Sequence, residues 1–67
     1  MIFKELEVGQ LFEHKRYGLM RKLLERETQV RNKENNTKTT IKINSLKVSD
    51  GNIYLINDSE EISLPWF

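Results

Sequence analysis

The side chains that could perform acid–base or nucleophilic chemistry are few in this sequence. His14 is the single histidine, and it stands between Glu13 and the cations Lys15 and Arg16. We expect this charged strand end to face water, with His14 as a solvated side chain, although histidine is a residue type that often transfers protons in enzymes. The serines lie far from His14 in sequence and outside any nucleophile-elbow motif. The sequence therefore predicts that the protein is not an enzyme.

Metal and cofactor motifs are also missing from the sequence. Without cysteine and with one histidine, a chain cannot supply the four nitrogen or sulfur ligands of a structural zinc site. The acidic stretch 58–61 lacks the ligand spacing of a calcium loop, so we interpret it as an acidic turn. No glycine-rich phosphate-binding motif is present. We predict no metal and no cofactor.

Charge is distributed unevenly along the chain, although the net charge is only +1. The segment 14–47 holds ten Lys or Arg against three Glu, whereas residues 48–67 hold four acidic residues and no basic one. Clustered charge of one sign attracts partners of the opposite sign. The simplest interpretation is a solvated hairpin. The functional interpretation is a basic surface for an anion or a nucleic acid, formed by Arg16, Arg21, Lys22, Arg31 and Lys33.

Large apolar residues near the C-terminus exceed what a core of this size holds. They are Tyr54, Ile56, Trp66 and Phe67. Tyrosine and tryptophan are enriched at the energetic centres of protein interfaces, so we predict these four residues as anchors for a protein partner. Trp66 as a cap on one end of the core is the alternative. A domain of 67 residues has a small stability margin, which favours self-association, and the edge of segment 53–56 is a candidate contact between copies.

The elements that position these residues begin with a helical turn. Phe3 and Leu6 are three residues apart and share one face of such a turn, and Gly9 then allows a bend with positive φ before the first strand. Tyr17-Gly18 and the segment 32–36 are turn signals. Asp50-Gly51 predicts a two-residue type I′ hairpin turn.

Segment 19–32 is ambiguous between helix and strand. Its Leu, Met, Arg, Lys and Glu residues favour helix, but the turns around it and the β-branched run 37–43 favour strand. We predict two short strands, about 19–24 and 28–32, with a turn at 25–27. The predicted core is Phe3, Leu6, Leu11, Leu19, Leu23, Val30, Ile41, Ile43, Leu46, Val48, Ile53 and Leu55.

These elements predict one mainly β domain over residues 1–67, formed by a curved antiparallel sheet of five to six strands or an SH3-like barrel, with a short N-terminal helical turn. Its last strand would contain Ile62 and Leu64. No apolar run approaches the length that spans a bilayer, and no secretion signal is visible. We therefore expect a cytoplasmic protein without a membrane partner.

The spacing Phe3-x-x-Leu6-x-x-Gly9-x-x-Phe12 resembles the opening of small SH3-like β-barrel proteins of bacteriophages and mobile elements. In that family the motif precedes a strand, a glycine turn, a strand with a lysine and a closing strand. Gly18, Lys22 and the segment 46–48 stand at the corresponding places, so that the resemblance covers residues 2–48. It implies a phage or mobile-element source and a binding role, and it brings no catalytic residues.

The sequence thus predicts a small, non-catalytic binding protein of phage type that binds and blocks a host macromolecule such as a defence protein. Two alternatives remain open. One is single-stranded nucleic-acid binding through the basic sheet face, although only Tyr17 among the aromatic residues lies in the basic region. The other is sequestration of a nucleotide signal at a subunit interface, where arginines would pair with phosphates.

Overall fold

A computed structural model describes residues 1–65 of the chain, and Trp66 and Phe67 lie outside the described residues. A 3₁₀ helix spans Phe3–Glu5 and is followed by four strands. They are β1 (Leu11–His14), β2 (Gly18–Asn32), β3 (Thr37–Lys47) and β4 (Ile53–Tyr54). The strands form one antiparallel sheet in the order β1-β2-β3-β4. The prediction of a mainly β protein with an N-terminal helical turn is confirmed, with four strands in place of five to six.

Strand β2 resolves the ambiguity of segment 19–32. It is a single strand of 15 residues, and the turn predicted at 25–27 is wrong. An irregularity stands near that place instead, because Lys22 pairs with Ser45 while Arg26 pairs with Ile43. Three residues of β2, 23–25, thus face the single residue Asn44 of β3, which is a bulge larger than the common type with two residues opposite one. Pairing with β1 and β3 outweighs the helical propensity of the leucines and glutamates.

The turns follow the glycines. Gly9 has φ 92°, as predicted for the bend that precedes β1. The connection between β3 and β4 is a longer loop than the predicted two-residue turn. It covers residues 48–52 and has positive φ at Gly51 only, whereas a type I′ turn needs it at both central residues.

The main core cluster consists of side chains that are 6% exposed or less: Phe3, Leu6, Phe12, Met20, Ile56 and Ile62. Phe3 packs against Phe12 edge to face, with 5.4 Å between ring centroids. Of the twelve predicted core residues, only Phe3, Leu6 and Ile43 are buried. The other nine are half-buried or exposed, because the described residues cover one face of the sheet much more completely than the other.

The segment after β4 crosses to the opposite side of the sheet. Asn44 holds its start, since its amide donates to the Ile56 carbonyl and accepts from the Ile56 N–H, each at 2.8 Å. Ser63 then forms an isolated bridge with Glu13 on the outer edge of β1, and Glu61 forms another with Ile2. The predicted last strand around Ile62 is thus a pair of single bridges, and Ile62 lies in the core.

Candidate binding surfaces

The outer half of the β2–β3 hairpin projects from the rest of the protein. From Arg26–Ile43 to Asn32–Thr37 the two strands form seven consecutive residue pairs, which corresponds to about 20 Å at the rise of a β-strand. The protein measures 41 × 20 × 17 Å as a result. We call residues 26–43 the distal hairpin, and the remainder of the described chain the body.

The distal hairpin has two different faces, because residues that pair across antiparallel strands point to the same side. The apolar face carries Thr28, Val30, Thr39 and Ile41 in its middle, the fully buried Ile43 with the exposed Arg26 at the body end, and Asn32 with Thr37 at the tip. The charged face carries Glu27, Gln29, Arg31, Lys38, Thr40 and Lys42. Val30 is 44% exposed, and Thr28 and Ile41 are half-buried. A face of β-branched side chains therefore remains open to a partner.

Both edges of the distal hairpin are free of strand partners within residues 1–65. The β1 side of β2 is occupied only as far as Lys22, whose backbone bonds to Gly9 and Gln10. On the other side, β4 pairs with β3 at Ser45 and Leu46 only. Unpaired backbone N–H and C=O groups on such edges are templates for pairing with another strand.

The structure does not bring the five predicted basic residues together. Arg16 lies in the β1–β2 turn, and Arg31 and Lys33 lie on the distal hairpin and its tip. Arg21 is exposed on β2 and donates from Nη1 to the Gly9 carbonyl at 2.8 Å. A continuous basic surface built from these residues does not fit their positions.

Lys22 has a structural role. Its Nζ donates to the carbonyls of Phe3 (3.1 Å) and Leu6 (2.8 Å) and stands 4.6 Å from the centre of the Phe3 ring. The Phe3 carbonyl also accepts from the Leu6 N–H (3.1 Å), and a cation near the end of a helical turn adds a favourable donor to such carbonyls. Lys22 therefore ties β2 to the N-terminal 3₁₀ helix and is not available as an anion-binding group.

The predicted apolar anchors have different positions. Ile56 is 5% exposed and belongs to the core, so the role of a surface anchor does not fit it. Tyr54 is half-buried and stacks on Tyr17, with 4.2 Å between centroids. Trp66 and Phe67 were also predicted as anchors and lie outside the described residues. The backbone of Ile56 bonds to Asn44, so the edge of segment 53–56 is not open for strand pairing along its full length.

His14 is buried at 7% exposure, so its prediction as a solvated side chain is wrong. Its Nδ1 accepts from the Arg16 N–H (3.1 Å), and its Nε2–H therefore donates to Glu60 (2.8 Å). The imidazole also stacks on Tyr17. With both nitrogens occupied, His14 fixes the β1–β2 turn to the segment that contains Glu60.

A shallow cleft of about 620 Å³ opens beside this histidine. Its walls combine the β1–β2 turn with the segment after β4: His14, Lys15, Arg16, Tyr17, Leu55, Ile56, Asn57 and Glu60. Tyr17 contacts aromatic neighbours, His14 and Tyr54, in stacked geometry. The cleft therefore offers charged rim groups and little free aromatic surface on which a base could stack.

Within residues 1–65, no group of three or more His, Asp or Glu side chains is arranged to hold a metal ion. The same part of the chain contains no helix with the length and apolar character needed to cross a membrane. In this described part, ion pairs link the N-terminal amine of Met1 to Glu61 and Lys47 to Asp50, and His14 is hydrogen-bonded to Glu60, all in the body. The charged side chains of the distal hairpin have none.

The sequence analysis missed the distal hairpin as a surface because it placed Val30 and Ile41 in the core. One signal was present in the sequence: the run 37–43, rich in β-branched residues, has seven residues, which is slightly longer than an average strand. A chain of 67 residues lacks the mass to cover both faces of such strands.

Comparison with known proteins finds no match: no protein-family model, no curated protein and no solved structure matches this chain.

Proposed function

We propose that this chain is a non-catalytic binding protein that docks on a protein partner through the apolar face of its distal hairpin. The observation that carries this proposal is the exposure of Val30, flanked by Thr28 and Ile41, on a pair of strands that extends about 20 Å from the body. An exposed apolar patch that is bordered by polar residues marks an interaction site.

The partner that we propose is a host macromolecule, such as a defence protein, which the chain would block. The support is the resemblance of residues 2–48 to small phage and mobile-element β-barrels. We extend that resemblance to the fold and propose that the sheet curves toward an SH3-like barrel. The bridge from Ser63 to the outer edge of β1 supports this, because it brings the C-terminal segment beside the first strand.

The test uses Val30→Lys, with Thr40→Lys on the charged face as a matched control. Tagged chains are expressed in a bacterial host, and each is assayed for recovery of the same partner and for relief of host defence against phage. We expect wild type and Thr40→Lys to act alike and Val30→Lys to lose both activities. Equal activity of the two variants, or no activity in the wild type, would overturn the proposal.

Single-stranded nucleic-acid binding is the second candidate, and the charged face favours it through Arg31, Lys38 and Lys42. The distal hairpin has no aromatic side chain, although stacking platforms supply much of the affinity for single strands. A titration with generic oligonucleotides separates the candidates. Affinity that falls steeply with salt, and that Lys38→Glu and Lys42→Glu abolish, would favour nucleic acid.

Nucleotide sequestration is the third candidate. It requires arginines that converge on phosphates, and the described arginines are dispersed over the turn, β2 and the distal hairpin. Heat denaturation of protein incubated with a nucleotide signal, followed by chromatography of the supernatant, tests it. Recovery of the intact nucleotide in stoichiometric amount would favour sequestration over both other candidates.

A further inference from the structure

We infer that two copies of this chain pair along the free edge of β2, antiparallel, with Gln29 of each copy at the two-fold axis. The edge is open from Leu23 to Asn32 within the described residues. A two-fold axis makes the same segment meet itself, so the segment must be complementary to its own reverse.

The charged face of β2 has this property. In antiparallel pairing about Gln29, Glu27 faces the second copy's Arg31, and Arg31 faces its Glu27. Glu25 and Lys33 stand at the corresponding outer positions of the same sequence. A shift by two residues in one direction places Glu27 opposite Lys33 and Arg31 opposite Gln29, and a shift in the other places Glu25 opposite Arg31 and Glu27 opposite Gln29. Each shifted register therefore has fewer oppositely charged contacts than the register about Gln29, which charge favours.

The apolar face agrees with this register. Thr28 faces the second copy's Val30, and Val30 faces its Thr28. Cross-strand pairs of β-branched side chains stabilise a sheet. The two apolar faces would then lie side by side, and the surface proposed above for a protein partner would be continuous across the dimer.

Pairing within the hairpin leaves Arg31 in an unfavourable position that a second copy relieves. Arg31 lies directly opposite Lys38 in the β2–β3 ladder, and like charges at such positions destabilise a sheet. No ion pair is present for Arg31 in residues 1–65. In the proposed dimer, Glu27 of the second copy faces Arg31 across the free edge of β2, on the side away from Lys38.

The edge of β3 cannot pair with itself in the same way. Its charged face carries Lys38, Thr40 and Lys42, so antiparallel pairing about Thr40 would place Lys38 opposite Lys42 twice. Lysines on an edge strand are a common device against unwanted pairing. Charge therefore directs self-association to β2.

Charge reversal tests the inference. Sedimentation of the full chain over a range of concentrations measures the dimer for wild type, Glu27→Arg, Arg31→Glu and the double exchange. We expect each single variant to weaken dimerisation at least about tenfold, because each change acts twice across the axis. The double exchange restores it, and Lys42→Glu, on the same face of β3, does not weaken it.

A cysteine pair gives a second readout that does not depend on charge. The chain has no cysteine, so Gln29→Cys introduces one thiol per copy, and Thr40→Cys places one on the same face of β3 as a control. We expect air oxidation to link Gln29→Cys into a covalent dimer much faster than Thr40→Cys.

Several outcomes would overturn the inference: a wild-type chain that stays monomeric at all concentrations, a double exchange that fails to restore the dimer, or equal linking rates for the two cysteine variants. Circular dichroism confirms that each variant is folded. Because Val30 also borders this dimer contact, every variant is assayed for both dimerisation and partner recovery. Glu27→Arg and Arg31→Glu change only the charged face, so loss of the dimer with partner recovery retained, or the reverse, shows which of the two proposals fails.

Discussion

The body and the distal hairpin share the strands β2 and β3, but they differ in what surrounds the side chains. In the body, Phe12 and Met20 are fully buried, and the side chain of Asn44 satisfies the backbone of Ile56. In the distal hairpin, Thr28 and Ile41 are only half-buried, and Val30 is exposed. The comparison shows that β2 and β3 continue beyond the core, so that the buried contacts lie in the body while both faces of the distal hairpin keep exposed side chains.

Among the variants that test this comparison, we expect Phe12→Ala to lower the stability of the protein the most. Phe12 is fully buried and packs on Phe3, and truncation of a buried phenylalanine costs about 3–5 kcal/mol. A domain of this size has a small margin, so the variant should be largely unfolded in urea or thermal titrations followed by circular dichroism. Leu24→Ala, at a side chain 71% exposed, is the control and should change stability by less than about 0.5 kcal/mol. Similar losses of stability for Phe12→Ala and Leu24→Ala would contradict the conclusion that the buried contacts of the body hold the fold.

A smaller loss is expected for Asn44→Ala. The change removes both contacts with Ile56 and leaves a buried N–H and a buried C=O without their partner, which costs about 2–3 kcal/mol. Urea titration measures it, with the exposed Asn52→Ala as the control. An Asn44→Ala variant as stable as the control would show that this polar contact does not hold the segment after β4.

Lys22→Met tests whether Lys22 belongs to the body or to a binding surface. The variant keeps the length of the side chain and removes the bonds to the Phe3 and Leu6 carbonyls, so we expect a loss of about 1.5 kcal/mol. Arg21→Met, at an exposed neighbour with one bond to Gly9, should lose about 0.5 kcal/mol. If Lys22→Met leaves stability unchanged and abolishes anion binding, Lys22 belongs to an anion-binding surface and not to the body.

The smallest effect on stability is expected when the distal hairpin is shortened. Residues 29–40 are replaced by Asn-Gly, which joins the paired residues Thr28 and Ile41 through a two-residue turn. Few buried contacts are lost, so the free energy of unfolding should change by less than about 1 kcal/mol. Partner binding and dimerisation should both disappear. An unfolded chain in thermal denaturation would mean that the distal hairpin supports the body.

Parts of this molecule could be predicted because they depend on neighbours in sequence. The helical turn that buries Phe3 and Leu6 follows from their spacing, and the positive φ of Gly9 follows from a bend that other residues adopt poorly. Strand β3 follows from its β-branched residues. The distal surface could not be predicted in the same way, since Val30 and Ile41 have the residue types of a core.

The sequence alone therefore determined the β class, the N-terminal turn and the positions of the main bends. Only the tertiary structure decided that Ile56 and Ile62 are core, that His14 is buried against Glu60, and that Val30 is exposed. The physical reason is that successive side chains of a strand point to opposite sides of the sheet. This alternation defines two faces for every strand, but it leaves open which face other segments cover. That choice depends on contacts between residues far apart in the chain, such as Ser63 with Glu13.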